Sequence, residues 1–153
     1  MLHSPTAPAP VHPDRETSQG LQTSSVYVLF TTIEDTLAAV RVASGFAKAL
    51  EVPVTILHFR AVSYALPVDG PAGISPVETV AFRQRLEHEG LDVRVQVLLC
   101  RDALAAVPLA LPSPSLVVIG GRQSWWASRP ARWRRALEAR GHLVIFTQGV
   151  FHA

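Results

Sequence analysis

At 153 residues with 48% apolar content, the chain has the length of one domain and the side chains for a single sizeable core. Its formal net charge is only +2, and 13 of its 14 basic residues are arginine, a skew that fits a GC-rich genome better than nucleic-acid binding. The lone Cys100 excludes an intrachain disulfide framework and a thiolate metal cluster, and no apolar run reaches the roughly 18 residues needed to span a bilayer. The N-terminal residues lack a charged region followed by an apolar core, so no secretory signal is expected and a cytoplasmic location is the default.

Residues 1–24 hold four prolines and few large apolar groups, too little surface to offset the entropy of ordering. They are read as a disordered tail. The domain is expected over 25–148, with a short C-terminal tail over 149–153. Val26 to Phe30 forms the first strand. Thr31 and Thr32 each have an acid three residues on, a capping pattern that starts a helix running to about Leu50, where Pro53 ends it. Leu37, Val40, Ser44, Ala47 and Leu50 share one face of that helix. Val54 to Phe59 is the second strand, and a Pro- and Gly-containing connection follows over 60–74. Ser75-Pro76-Val77-Glu78 starts the second helix, which Gly90 ends. Val93 to Cys100 is the third strand. Asp102 caps a short helix of about two turns, bent or frayed by Pro108. Leu116 to Ile119 is a continuous apolar, β-branched run, as in a strand covered on both faces. Gly120-Gly121 leads out of it, a helix runs from about Arg129 to Arg140, and Leu143 to Thr147 is the fifth strand.

Strands alternating with helices predict an α/β fold: one three-layer, doubly wound, Rossmann-like domain with a five-stranded, mostly parallel sheet and about four helices. In such sheets ligands bind outside the strand C-termini at the topological switch point, beside a helix N-terminus.

Over residues 25–148 the chain resembles the universal stress protein family. Glu34-Asp35-Thr36, entering the first helix, is similar to that family's Ser-Glu-Asp-Ser-like step. Val54 to Phe59 (VTILHF) is similar to its LTLLHV second strand, and Leu116 to Gly120 (LVVIG) to its LIVMG fourth strand. The resemblance implies strand order 3-2-1-4-5. It implies a nucleotide crevice between strands one and four, which here would be formed by Thr31, Thr32, Gly120, Gly121, Arg122 and Arg129. ATP-binding members carry Gly, two residues, Gly, nine residues, then Gly-Ser/Thr after strand four. Here Gly120 matches the first glycine, Gln123 stands at the second, and Arg129-Pro130-Ala131-Arg132 occupies the Gly-Ser region with a short deletion. Thr31 replaces the acid that contacts the nucleoside. Glycines let a backbone approach phosphate and cradle it with N–H groups, which Gln, Trp and Pro do not. The nucleotide site is therefore read as lost or remodelled, with a bulky side chain from 123–126 expected over the phosphate position.

The arginines at 122, 129, 132, 134, 135 and 140 face one acid, Glu138. The first reading is a solvated helix face opposite an apolar stripe of Trp133, Ala136 and Leu137. Alternatives are a guanidinium clamp on an anion through Arg122 and Arg129, or an anionic-membrane or nucleic-acid footprint helped by Trp125 and Trp126. One of these two tryptophans is expected to pack and the other to meet a partner. His58 reads as a hydrogen-bonded strand residue and Cys100 as a small hydrophobe. No nucleophile elbow, Walker loop, paired carboxylates or metal spacing is present. The expectation is a non-catalytic regulatory or stress-response protein with no cofactor, ATP or AMP binding being the alternative. Its partner is expected to be a second copy, paired through the uncharged strand-five edge, or an unidentified protein. Nucleic acid and membrane are the lesser options.

Overall fold

The computed structural model describes residues 24–62, 76–112, 114–121 and 128–148. The two expected tails (Ser24 apart), most of the connection after the second strand, Ser75, Arg122, Gln123, Trp125 and Trp126 lie outside the described residues, as does the expectation of a bulky 123–126 side chain. The elements are β1 (Val26–Leu29), α1 (Ile33–Leu50), β2 (Val54–Ala61), α2 (Pro76–His88), β3 (Val93–Cys100), α3 (Ala103–Ala110), β4 (Leu116–Gly120), α4 (Arg129–Glu138) and β5 (Leu143–Thr147). All strand pairings are parallel, in the order β3-β2-β1-β4-β5. This is the doubly wound α/β sheet that the alternation predicts.

The period-2 geometry of the strands divides the core into two layers. Val28, Ile56 and Val118 face α1 and α2, where Leu37, Val40, Phe82 and Leu86 meet them. Leu29, Leu57, Val117 and Ile119 face α3 and α4, against Val107, Trp133 and Leu137. Every residue of β4 is buried, which is why its sequence shows no polar alternation.

Local chemistry sets the helix ends. The Thr32 hydroxyl accepts the Asp35 amide at 3.2 Å and caps α1. Asp102 accepts the Leu104 and Ala105 amides and caps α3. Pro108 lies inside α3, which ends two residues later. Gly90 after α2 and Gly141 after α4 have positive φ, the left-handed turn that glycine adopts without strain. Helix α4 stops at Glu138, short of Arg140, because the His142 amide already turns back to the Leu137 carbonyl at 3.1 Å.

The end of α1 differs from the sequence expectation. Its stop is Glu51, in the left-handed conformation at φ 56°, with the Val52 amide returned to the Ala47 carbonyl at 3.0 Å. Pro53 only follows a helix already ended. A non-glycine residue in that region is strained by roughly 1–2 kcal/mol, part of which glycine regains. Glu51→Gly is therefore expected to raise stability by about 0.5–1 kcal/mol, read as a higher urea midpoint with an unchanged slope. Leu50, expected inward, is instead 44% exposed, and Val42 and Phe46 show 37% and 40% exposure along the same flank of α1.

Candidate functional site: the crevice between β1 and β4

Strands β1 and β4 are neighbours, but the chain leaves them on opposite faces, α1 after β1 and α4 after β4. Their C-terminal ends form the switch point. There the structure brings together Thr31, Thr32, Gly120, Gly121 and the start of α4 with Arg129, while Arg122 lies outside the described residues. The Thr31 hydroxyl crosses the crevice and donates to the Gly120 carbonyl at 2.9 Å. The Thr31 amide donates to the Thr36 hydroxyl, itself fully buried in α1, at 3.0 Å. Both hydrogen-bond donors of Thr31 are thus engaged within the protein. An acid at this position could accept from a ligand hydroxyl, but it could not donate to the Gly120 carbonyl.

The two glycines are covered as well. A Cβ on Gly120 would overlap the Asp35 carbonyl oxygen and approach the Ala39 side chain at 3.3 Å, so the first turn of α1 rests directly on the Gly120 backbone. A Cβ on Gly121 would meet the Pro130 ring at 3.3 Å and the Phe146 ring at 3.6 Å. The Gly121 amide donates to the Thr147 carbonyl at 3.0 Å. What touches these glycines is protein: the absence of a side chain lets α1 and α4 close in on the sheet.

The start of α4 is poor in free donors. Ser128 caps it by accepting the Ala131 amide at 3.3 Å, Pro130 has no N–H, and the Arg132 amide returns to the Ser128 carbonyl at 3.0 Å. A helix N-terminus binds anions through such amides, and here those of positions 131 and 132 are engaged and position 130 has none. The Arg129 side chain is exposed, and its guanidinium lies 4.7 Å from the centre of the Trp133 ring. Trp133 is 2% exposed and Leu137 fully buried, with Ala136 half-buried, so the apolar stripe expected on α4 does face the core. Arg134 pairs with Glu138 one turn on, at 3.0 Å, with both side chains partly in solvent. Those two positions behave as a solvated helix face.

The remaining chemistry-bearing residues are also engaged locally. His58 stacks on Phe30 at 4.1 Å between ring centres, and Phe30 meets Phe82 edge-on at 5.2 Å. The Cys100 thiol lies 3.6 Å from the Arg60 carbonyl. Burial pushes its pKa up, the charge of Arg129 opposes the rise, and Asp102 adds to it, which favours the thiol over the reactive thiolate. Among the described residues no group of three His, Cys, Asp or Glu side chains could hold a metal ion. No helix among them is long and apolar enough to cross a membrane. Surface clefts among the described residues lie elsewhere, such as one of about 350 Å³ between the end of α1 and the starts of β2 and β3 and one of about 550 Å³ between α1 and α2.

Sequence reasoning missed the roles of Thr36 and of the Asp35 carbonyl, and the packing of Pro130 on Gly121. Thr36 and Asp35 sit in the very run that signals the helix start, and their second role emerges only when α1 lies across β4.

A universal stress protein structure from Archaeoglobus fulgidus superposes on 84% of this chain and 96% of its own length, with a TM-score of 0.55 and 18% identity. The fold is that of a universal stress protein. One from Burkholderia pseudomallei matches 81% of this chain and 95% of its own, with a TM-score of 0.46 and 16% identity. A macrolide-efflux protein from Streptococcus pneumoniae matches 85% of this chain and 47% of its own, with a TM-score of 0.44 and 14% identity. No protein-family model matches the sequence, and no curated protein matches it significantly. The universal stress fold is thus carried by a sequence far from those of its structural neighbours.

Proposed function

We propose that this chain is a non-catalytic regulatory protein of the universal stress type, in which the nucleotide crevice has been closed and action passes through a second copy of itself. The observation that carries the reading is the Thr31–Gly120 hydrogen bond across the switch point. Contact of α1 with Gly120 and of Pro130 with Gly121 supports it. The stress role rests on the likeness of fold. A nucleotide entering here would have to break a half-buried tie and find replacements for the amides that Pro130 and Ser128 have removed. Calorimetric titration with ATP and AMP tests this: no saturable heat at micromolar to millimolar nucleotide is expected. Micromolar binding weakened by Arg129→Ala would restore the nucleotide-binding alternative.

The two sheet edges favour pairing through β5. On β3 the outer edge carries exposed Arg94 and Gln96, side chains that blunt edge-to-edge association. On β5, Leu143-Val144-Ile145-Phe146-Thr147 carries no charge, Leu143 is 50% exposed, and Ile145 packs against the α1 layer. Pairing of this edge about a two-fold axis would satisfy its backbone groups and cover its side chains. Light scattering should therefore give twice the 16.6 kDa chain mass, and Ile145→Lys should return it to the monomer. A wild-type monomer at high micromolar concentration would refute the pairing and point to another protein partner.

A further inference from the structure

At the opposite end of the sheet from the crevice, His142 sits 5% exposed at the turn between α4 and β5. Its Nδ1 accepts the amide of the fully buried Ser115 at 3.1 Å. The next residue along, Leu143, donates its amide to the Ser115 carbonyl at 3.0 Å, the hydrogen bond that opens the β4–β5 ladder. Ser115 is held from its other side as well, its hydroxyl donating to the Pro112 carbonyl. The imidazole therefore fastens the residue before the edge strand to the residue before β4. That hydrogen bond needs Nδ1 without a proton, because the amide facing it is a donor.

We propose that His142 is a proton-operated latch on the edge strand: protonation at Nδ1 sets two N–H groups against each other and releases the start of β5 from β4. Among the described residues no acid is placed to compensate a charged ring. The segment from Leu111 to Gly120 and the strand Leu143–Thr147 contain no ionisable side chain. From the end of α4 the charge that acts on the ring is Arg140, a cation, while Glu138, the acid of that helix, is paired with Arg134. Burial first and Arg140 second hold the imidazole pKa below its ordinary 6.5. The sign follows. A group whose folded pKa is depressed leaves the latch at full strength above 6.5, and the strength is lost as pH falls from there through the lower folded value. Fastening of β5 to β4 lies within one chain, so the latch is independent of whether β5 pairs with a second copy.

Hydrogen exchange of the full chain from pH 7.5 to 5.0 tests it. The protection factors of the Ser115 and Leu143 amides are expected to fall by up to about tenfold per pH unit below 6.5, while those of Val117 and Val118 hold. His142→Asn keeps an acceptor near the Nδ1 position that does not titrate, and should flatten the dependence. Protection that is level with pH in the wild type, or equally pH-dependent in His142→Asn, would overturn the latch. If that variant does not fold, the wild-type imidazole titration followed by NMR decides: a midpoint below 6.5 supports the proposal and one at or above 6.5 refutes it.

Discussion

Gly120→Ala is expected to cost about 3 kcal/mol or more, near the upper end of what overpacking produces. A methyl group there would overlap the Asp35 carbonyl oxygen and lie 2.7 Å from its carbon. The neighbour is helix backbone, so no rotamer change relieves the contact. Either α1 lifts from β4 or the end of β4 moves, and both open a core in which Leu37, Val40, Val118 and Ile119 are fully buried. The Thr31–Gly120 bond would be strained by the same displacement. Chemical denaturation of Gly120→Ala and Gly45→Ala side by side is the direct check. Gly45 has open space around it inside α1, and alanine there should stabilise by about 0.5–1 kcal/mol through helix propensity alone. Similar effects of one sign in the two variants would show that α1 does not press on Gly120.

Trp133→Ala is expected to destabilise by about 3–5 kcal/mol, the range for emptying a buried large aromatic site. The indole fills the layer between the sheet and α4, against Leu29, Leu57, Val117 and Ile119. It is also the platform on which the Arg129 guanidinium rests. Among the described residues its buried Nε1 meets no hydrogen-bond partner. Trp133→Phe should therefore cost markedly less than the alanine change, because it gives up volume and at the same time removes an unsatisfied donor whose burial is unfavourable. Equal losses for the two substitutions would mean that the indole N–H has a partner after all. Thermal unfolding of both variants separates the outcomes.

Much of the fold is legible along the chain because its signals are local. The run Leu116 to Ile119 declares a strand covered on both faces, and Thr32 and Asp102 announce helix starts through side chains that reach only two or three residues. Gly90 and Gly141 mark helix ends by their own backbone freedom. The stop of α1 hides in Glu51, a residue with no such preference, driven left-handed by the bonds that close the helix. The crevice is harder to read for a similar reason. Thr31, Thr32, Gly120 and Gly121 can be placed at the switch point from the order of elements together with the strand order that the family resemblance implies. That Gly120 receives a helix carbonyl, and that Thr31 donates across a separation of 89 residues, depends on how two distant segments pack. His142 looks like any histidine after a helix until the Ser115 amide is seen to point at it.

The tie between Thr31 and Gly120 also bears on how such a protein could change over generations. An acid at position 31 would set a carboxylate against the Gly120 carbonyl, two acceptors facing each other, before any ligand arrived to compensate. Glycines placed after Gly121 would leave α1 seated on Gly120 and Pro130 on Gly121. Under the proposed reading, a change that opened the crevice would first give up the tie, with no ligand yet bound to offset that loss.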